Sequence, residues 1–282
     1  MVFHSLGKAA GWMAKSPYVW LSGLWAAVVP LIAWYLYESF GGAMVTILVA
    51  MALMLVFPAL IAGTYGVVAE DESSLCVFRR YAIHGYFRQL LSSILMFLIA
   101  WFLLQFVFYV LLAFGFEIVT SAQMATFVFI PVMFFCYFAD VIAVVNKKHA
   151  FASVKNSFLL VLNGSLSVVI FHLVNFVLMI MVSVVGSVVF AAFTMDTFLP
   201  LASMTETELL SMTYDEFLVI VSTSEVVFAG FAALAMCVVF FVPLFTLYKA
   251  CYFVTTSALA LSDISKDPVG MYDEKGRWYK YS

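Results

Sequence analysis

A single carboxylate, Asp140, stands well inside a long apolar run. An ionisable group in hydrocarbon is costly and by default marks an ion or proton pathway. Asp140 lies seven residues before Lys147, so about 10 Å of helical rise separates it from the end of its run. Two roles compete. One is an ion pair with a base near that end, such as Lys147 or an arginine of the other basic segment; the other is a proton or cation site. His172 and Asn175 are three residues apart in another run, which puts them on one helical face. Gln105 lies in a third run. These four polar groups either line a shared pocket between helices or make ordinary interhelical hydrogen bonds. A second group is cationic: Arg79, Arg80, Arg88, Lys147, Lys148 and Lys155. Bases at the rim of apolar runs suit lipid headgroup phosphates, and they also set orientation.

No other chemistry is legible. The phosphate loop G-x-x-x-x-G-K-[ST], the zinc helix H-E-x-x-H and the nucleophile elbow G-x-S-x-G are all missing from the sequence. The spacing of Cys76, Cys136, Cys237 and Cys251 fits no zinc pattern, and none falls in an outer connection where a disulfide framework would sit. The expectation is a protein that is not an enzyme, with no catalytic set, no cofactor, no metal and no nucleic acid partner.

The elements that must position these groups follow from composition. Apolar types make up 66% of 282 residues and charged types 10%, against about 25% charged in a soluble domain. The mean hydropathy of +1.10 agrees. Segments of about ten alternating residues, which a membrane barrel needs, are not seen. Instead there are six apolar runs long enough to cross a bilayer as helices. They cover about Tyr18 to Tyr37, Ala43 to Val68, Leu90 to Phe116, Met124 to Val145, Ser165 to Thr194 and Val226 to Tyr248. The fold class expected is all-α: a polytopic bundle of six transmembrane helices with short interfacial helices. The transmembrane domain takes residues 1–261 and a polar tail takes 262–282.

Charge orients the bundle. All 13 Lys and Arg residues fall at the ends of runs on one side. Glu38, Glu117, Asp196, Glu206, Glu208, Asp215, Glu216 and Glu225 fall on the other. Basic loops resist translocation, so both termini are expected to be cytoplasmic in a multi-pass protein of the cell (plasma) membrane.

Finer features repeat. Pro58, Pro131 and Pro243 lie in the even-numbered runs, where each frees a backbone carbonyl and favours a kink. Gly66-Val-Val-Ala-Glu70 and Ala143-Val-Val-Asn-Lys147 end two of these runs alike, hinting at parallel hairpin units. The stretch Phe151 to Leu162 places Phe151, Val154, Phe158, Val161 and Leu162 on one face, as an interfacial helix would. Leu75 to His84 and the N-terminal stretch with Phe3, Leu6 and Trp12 read similarly. Two capping boxes, Thr205 to Glu208 and Thr213 to Glu216, predict two short helices capping the outer end within about 195–225. Small pairs (Gly23 and Ala27, Ala59 and Gly63, Ser183 and Ser187, Ala229 and Ala233) permit close helix contact. Trp278, Tyr279 and Tyr281 suit a headgroup-level anchor.

Two stretches carry a resemblance: Lys15-Ser-Pro-Tyr-Val-Trp-Leu at the entry to the first run, and Val144 to Gly164 leading into the fifth. In the second, Val154-Lys-Asn-Ser157 fills an A-L-K-x-S region and Asn163 its final Asn. This resembles six-helix prokaryotic membrane families, among them the membrane domain attached to glycerophosphodiester phosphodiesterases, YciC-type inner-membrane proteins and archaeal relatives. The tail from Tyr272 to Tyr279 looks like archaeal tails. The resemblance implies an integral membrane module. The phosphodiesterase catalytic domain has no counterpart in this sequence, so its activity is not implied.

The function expected is therefore that of a scaffold, a lipid-interacting module or a subunit with a membrane-protein partner or a second copy of itself. A small-solute or proton-coupled transporter is the alternative, resting on Asp140, Gln105, His172 and Asn175. An enzyme acting on lipid headgroups through Arg79, Arg80 and Lys155 comes third.

Overall fold

The computed structural model describes the chain except residues 41–42, 203, 206, 208–210, 265–270, 273–277 and 280–282. It is helical, with six helical stretches long and apolar enough to cross a membrane. The protein is a multi-pass integral membrane protein of the all-α class. The end where the bases gather is called the basic end below, and the opposite one the acidic end.

Helix α1 (Val2–Lys15) precedes a 3₁₀ turn (Pro17–Val19) and α2 (Trp20–Phe40), the first span. The second span is α3 (Ala43–Met54) followed by α4 (Phe57–Glu70). Pro58, near the start of α4, cannot donate to the preceding turn, and the helix breaks there. The third span is one helix, α5 (Leu75–Ala113). At 39 residues it runs about 58 Å, roughly twice the hydrocarbon thickness. The separate interfacial helix expected over Leu75 to His84 is thus the first part of α5. Nothing in Tyr86 to Gln89 interrupts the helix, so the polar segment simply extends the span. Ser74 caps it by accepting from the Val77 N–H.

The fourth span is in three pieces, α6 (Ile118–Thr126), α7 (Phe129–Cys136) and α8 (Ala139–Val145). Pro131 accounts for the first break. The amphipathic α9 (Ala150–Asn163) leads into α10 (Ser165–Ala202), the fifth span. At the acidic end, α11 (Tyr214–Val221) begins directly after Thr213, as its capping box predicts. Glu206 and Glu208 of the other box lie outside the described residues. The sixth span is α12 (Ser224–Ile264). It runs straight through Pro243, and α2 likewise contains Pro30. Proline is therefore not confined to even spans, and only spans two and four break at one. In the tail, Met271–Tyr272 pairs antiparallel with Trp278–Tyr279. Of its bases, Lys266, Lys275, Arg277 and Lys280 lie outside the described residues, as does Tyr281.

The densest packing lies towards the basic end. Tyr65, Phe138, Phe171, Leu247, Tyr248 and Tyr252 are all but inaccessible there, and α1 adds Val2 and Ala9 to the same core. Helices α4 and α5 pack closely because rings of one lie over glycines of the other. A Cβ on Gly63 would stand 2.7 Å from Phe78, and one on Gly66 would collide with Tyr81. Of the small pairs, Ala229 and Ala233 are buried, whereas the hydroxyls of Ser183 and Ser187 bond back to their own helix. Towards the acidic end the side chains of α5 and α10 turn outward, with Phe102, Phe106, Val184 and Val188 exposed to what is lipid in a membrane.

Helix α9 packs inward through Ser153, Ser157 and Val161. Its Phe151, Phe158 and Leu162 face outward, the arrangement of a helix held between bundle and lipid interface. The hairpin parallel also has a structural counterpart. Asp71, just past α4, and Lys147, just past α8, both adopt left-handed backbone, with φ of 52° and 53°.

Candidate functional site

Asp140 is placed by the second break in the fourth span. Between α7 and α8 the helical ladder is interrupted, and buried backbone groups need new partners. Ser157 of α9 supplies both: its hydroxyl donates to the Phe135 carbonyl at 2.7 Å and accepts from the Phe138 N–H at 3.2 Å. The stitched break aims Asp140 into the bundle. One carboxylate oxygen meets Lys249 Nζ at 2.6 Å and accepts from the Val141 N–H at 2.7 Å. The other accepts from the Tyr65 hydroxyl at 2.8 Å and from Gln89 Nε2 at 3.2 Å. The Lys249 ammonium also sits 4.3 Å from the centre of the Tyr137 ring, a cation–π contact in a desolvated place.

Helices α4, α5, α8 and α12 thus converge on one carboxylate, and both of its oxygens are saturated. Asp140 and Lys249 are 6% and 8% exposed. A buried pair of this kind holds geometry more than it adds net stability. The sequence points to a base near the basic end as the partner of Asp140, such as Lys147 or an arginine of the other basic segment. The structure corrects this to Lys249, which the apolar pattern places at the very end of the sixth run. Helix α12 continues past it to Ile264, so Lys249 is not at a helix end and lies within the bundle.

The remaining polar candidates do not join Asp140. Gln105 is half-buried and makes no hydrogen bond among the described residues. His172 and Asn175 do share a face of α10, where both line an apolar groove. Asn175 Nδ2 donates to the Phe171 carbonyl of its own helix at 3.1 Å. Asn175 Oδ1 and His172 Nε2 are buried without partners.

The cationic candidates divide in two. Arg80, Arg88 and Lys147 line a cleft of about 380 Å³ at the basic end, together with His84, Tyr81 and Glu70. Arg79, Lys148 and Lys155 are exposed and lie outside it. The cleft is built by the α4–α5 packing and by the left-handed turn that brings Lys147 over from α8. Glu70 accepts from Arg80 at 3.2 Å and from the Tyr81 hydroxyl at 2.7 Å. His84 Nδ1 lies 2.9 Å from the Arg80 carbonyl of its own helix. Arg88 and Lys147 have no carboxylate partner among the described residues, so the cleft presents uncompensated positive charge.

Among the described residues no three His, Cys, Asp or Glu side chains cluster as a metal site, and the four cysteines are unpaired. Sequence reasoning misses Tyr65, Gln89, Ser157 and the buried place of Lys249. A signal exists for three of the converging groups. Tyr65, Asp140 and Lys249 follow Pro58, Pro131 and Pro243 by seven, nine and six residues, so each lies one to three turns past its proline. Compared with known proteins, the chain matches no family model, no curated protein and no solved structure.

Proposed function

We propose that this integral membrane protein is a lipid-interacting module whose basic end engages the phosphate of anionic phospholipids. The observation that carries the reading is the cleft of Arg80, Arg88, His84 and Lys147, facing only Glu70 as counter-charge. Its depth is right for a headgroup. Arg88 stands two residues before the apolar run of the third span, and Lys147 two residues after that of the fourth. Arginine offers a planar fork to phosphate oxygens and lysine a point charge. With the bases facing the cytoplasm, the cleft meets the anionic leaflet. Under this reading the buried Asp140–Lys249 pair fixes the helices that hold the cleft and carries no solute.

The experiment is lipid retention. The full chain, in nanodiscs of mixed phosphatidylglycerol and phosphatidylcholine, is expected to enrich the anionic lipid in its bound fraction. Arg88→Gln with Lys147→Gln should lower that enrichment at least tenfold, since even one lost hydrogen bond to a charged group costs about 1.5–3 kcal/mol. Unchanged enrichment in the double variant would overturn the reading.

One observation favours transport as a second reading: the fourth span is discontinuous next to a buried charge pair, as in helices that bind ions at mid-membrane. Solute or proton flux in liposomes that is lost in Asp140→Asn but kept in Arg88→Gln/Lys147→Gln would put transport first.

A further inference from the structure

The groove on the fifth span is unrelated to the phosphate cleft. It measures about 660 Å³ and is walled by Phe134 of α7, Tyr137 in the break after it, Phe176 of α10 and Phe245 of α12, with His172 and Asn175 set among them. That volume lies within the range of small-molecule sites. Asn175 lies ten residues into α10, so its amide sits about 15 Å beyond the start of the span, near the middle of a bilayer core of about 30 Å. Phospholipid headgroups do not reach that depth, and acyl tails have no donor or acceptor to offer. Yet beside the groove two polar atoms are buried without hydrogen-bond partners, Asn175 Oδ1 and His172 Nε2, on a residue 8% exposed and its neighbour one turn away. An unpaired polar atom in hydrocarbon is among the costliest features a membrane protein carries. The other buried atoms without partners, such as those of Trp34, Ser92 and Tyr248, line none of the described clefts.

We propose that this groove is a lateral binding site for a membrane-dissolved ring compound bearing a hydroxyl group. Once the two side chains turn towards the groove, the hydroxyl donates to Asn175 Oδ1, and its oxygen accepts from the His172 Nε2–H tautomer. The ring matches the walls. The His172 imidazole already lies 4.7 Å from the Phe134 ring, tilted, and 5.1 Å from the Tyr137 ring, edge-on, so a ring ligand joins an existing aromatic cluster. Tyr137 is also held by the Lys249 ammonium at 4.3 Å from its ring centre, which makes this wall rigid and ready for a ligand before it arrives. Entry is sideways from the lipid, because Ile130, Met133 and Met179 at the groove's rim are exposed.

The test compares two probes that differ only in the donor: 4-nonylphenol and its methyl ether, 4-nonylanisole. Binding to the full chain in phosphatidylcholine nanodiscs is measured with radiolabelled probe. The phenol is expected to bind one per protomer and at least tenfold more tightly than the ether. Asn175→Leu should erase that preference, and His172→Leu should reduce it; the near-ultraviolet signal of each variant checks that it is folded. Arg88→Gln/Lys147→Gln should leave phenol binding unchanged, which separates this site from the phosphate cleft. Equal binding of phenol and ether, or a preference that survives Asn175→Leu, overturns the proposal. So does equally tight binding of the ringless 1-pentadecanol, which would remove the ring from it. A dimer that Asn175→Leu converts to monomer would make the occupant a second copy of the chain, and the proposal would also fall.

Discussion

Two polar sites both adjoin the Tyr137 ring, one through Lys249 and one through His172, and they differ in one respect. Around Asp140, both carboxylate oxygens are filled by Lys249, Val141, Tyr65 and Gln89. Around Asn175 the amide oxygen is buried without a hydrogen-bond partner, and the neighbouring His172 imidazole has no polar side chain bonded to it, only the Phe134 backbone beside it. Residue type does not separate them, since each is a polar group inside an apolar run. Saturation does. A polar cluster closed on itself fixes how helices meet, because each member loses heavily if another moves. One left open has unused bonding capacity at a surface that lipid tails cannot satisfy. The first behaves as a lock and the second as a receptor site.

The sharpest way to break this contrast is to take the lock apart. Asp140→Leu and Lys249→Met, made singly, each strand a buried charge, and each should destabilise the protein by about 3–5 kcal/mol. The double variant removes both charges together and should recover most of that loss, as replacement of whole buried pairs does elsewhere. Unfolding in mixed micelles, followed by the near-ultraviolet signal of the tyrosine-rich core, gives the three values. Single variants as stable as the parent would mean that the pair is not a lock, and Asp140 would then be available to a transport mechanism. A smaller effect is expected at the stitched break. Ser157→Ala leaves the Phe135 carbonyl and the Phe138 N–H without their present partners, at a cost of about 1–3 kcal/mol. Hydrogen exchange should rise first in α8, the seven-residue piece that the serine secures.

The sequence makes the bundle legible and the lock only half so. Six runs of apolar residues need no partner to declare themselves, because spanning hydrocarbon is a local requirement on length and composition. The breaks at Pro58 and Pro131 are local as well, since proline lacks the N–H a helix needs. Pro30 and Pro243 show where that stops: the same residue type sits in unbroken helices when neighbours pack around it. The Asp140 site is non-local. Tyr65 and Asp140 are 75 residues apart, and no spacing rule links them. Lys249 misleads for a physical reason, since a lysine beside an apolar run reads equally as a flanking anchor or as a base drawn inside by an acid. Arg80, Arg88 and Lys147 are legible as rim bases, but only the left-handed turn at Lys147 and the glycines of α4 bring them together. Gln105, identical in promise to Asn175 on paper, joins neither site.

The smallest expected effect carries the opposite sign. With no ligand present, Asn175→Leu exchanges an amide with one unpaired oxygen for an apolar side chain of similar size. It loses only the 3.1 Å bond to the Phe171 carbonyl, which already serves the ladder of its own helix. Replacing a buried polar group that lacks a partner is close to neutral or stabilising. The unfolding midpoint should therefore stay level or rise, by about 1 kcal/mol at most. If instead the leucine variant loses stability as Asp140→Leu does, Asn175 belongs to the packing of the bundle. The two sites at Tyr137 would then be one lock, with no receptor site between helix and lipid.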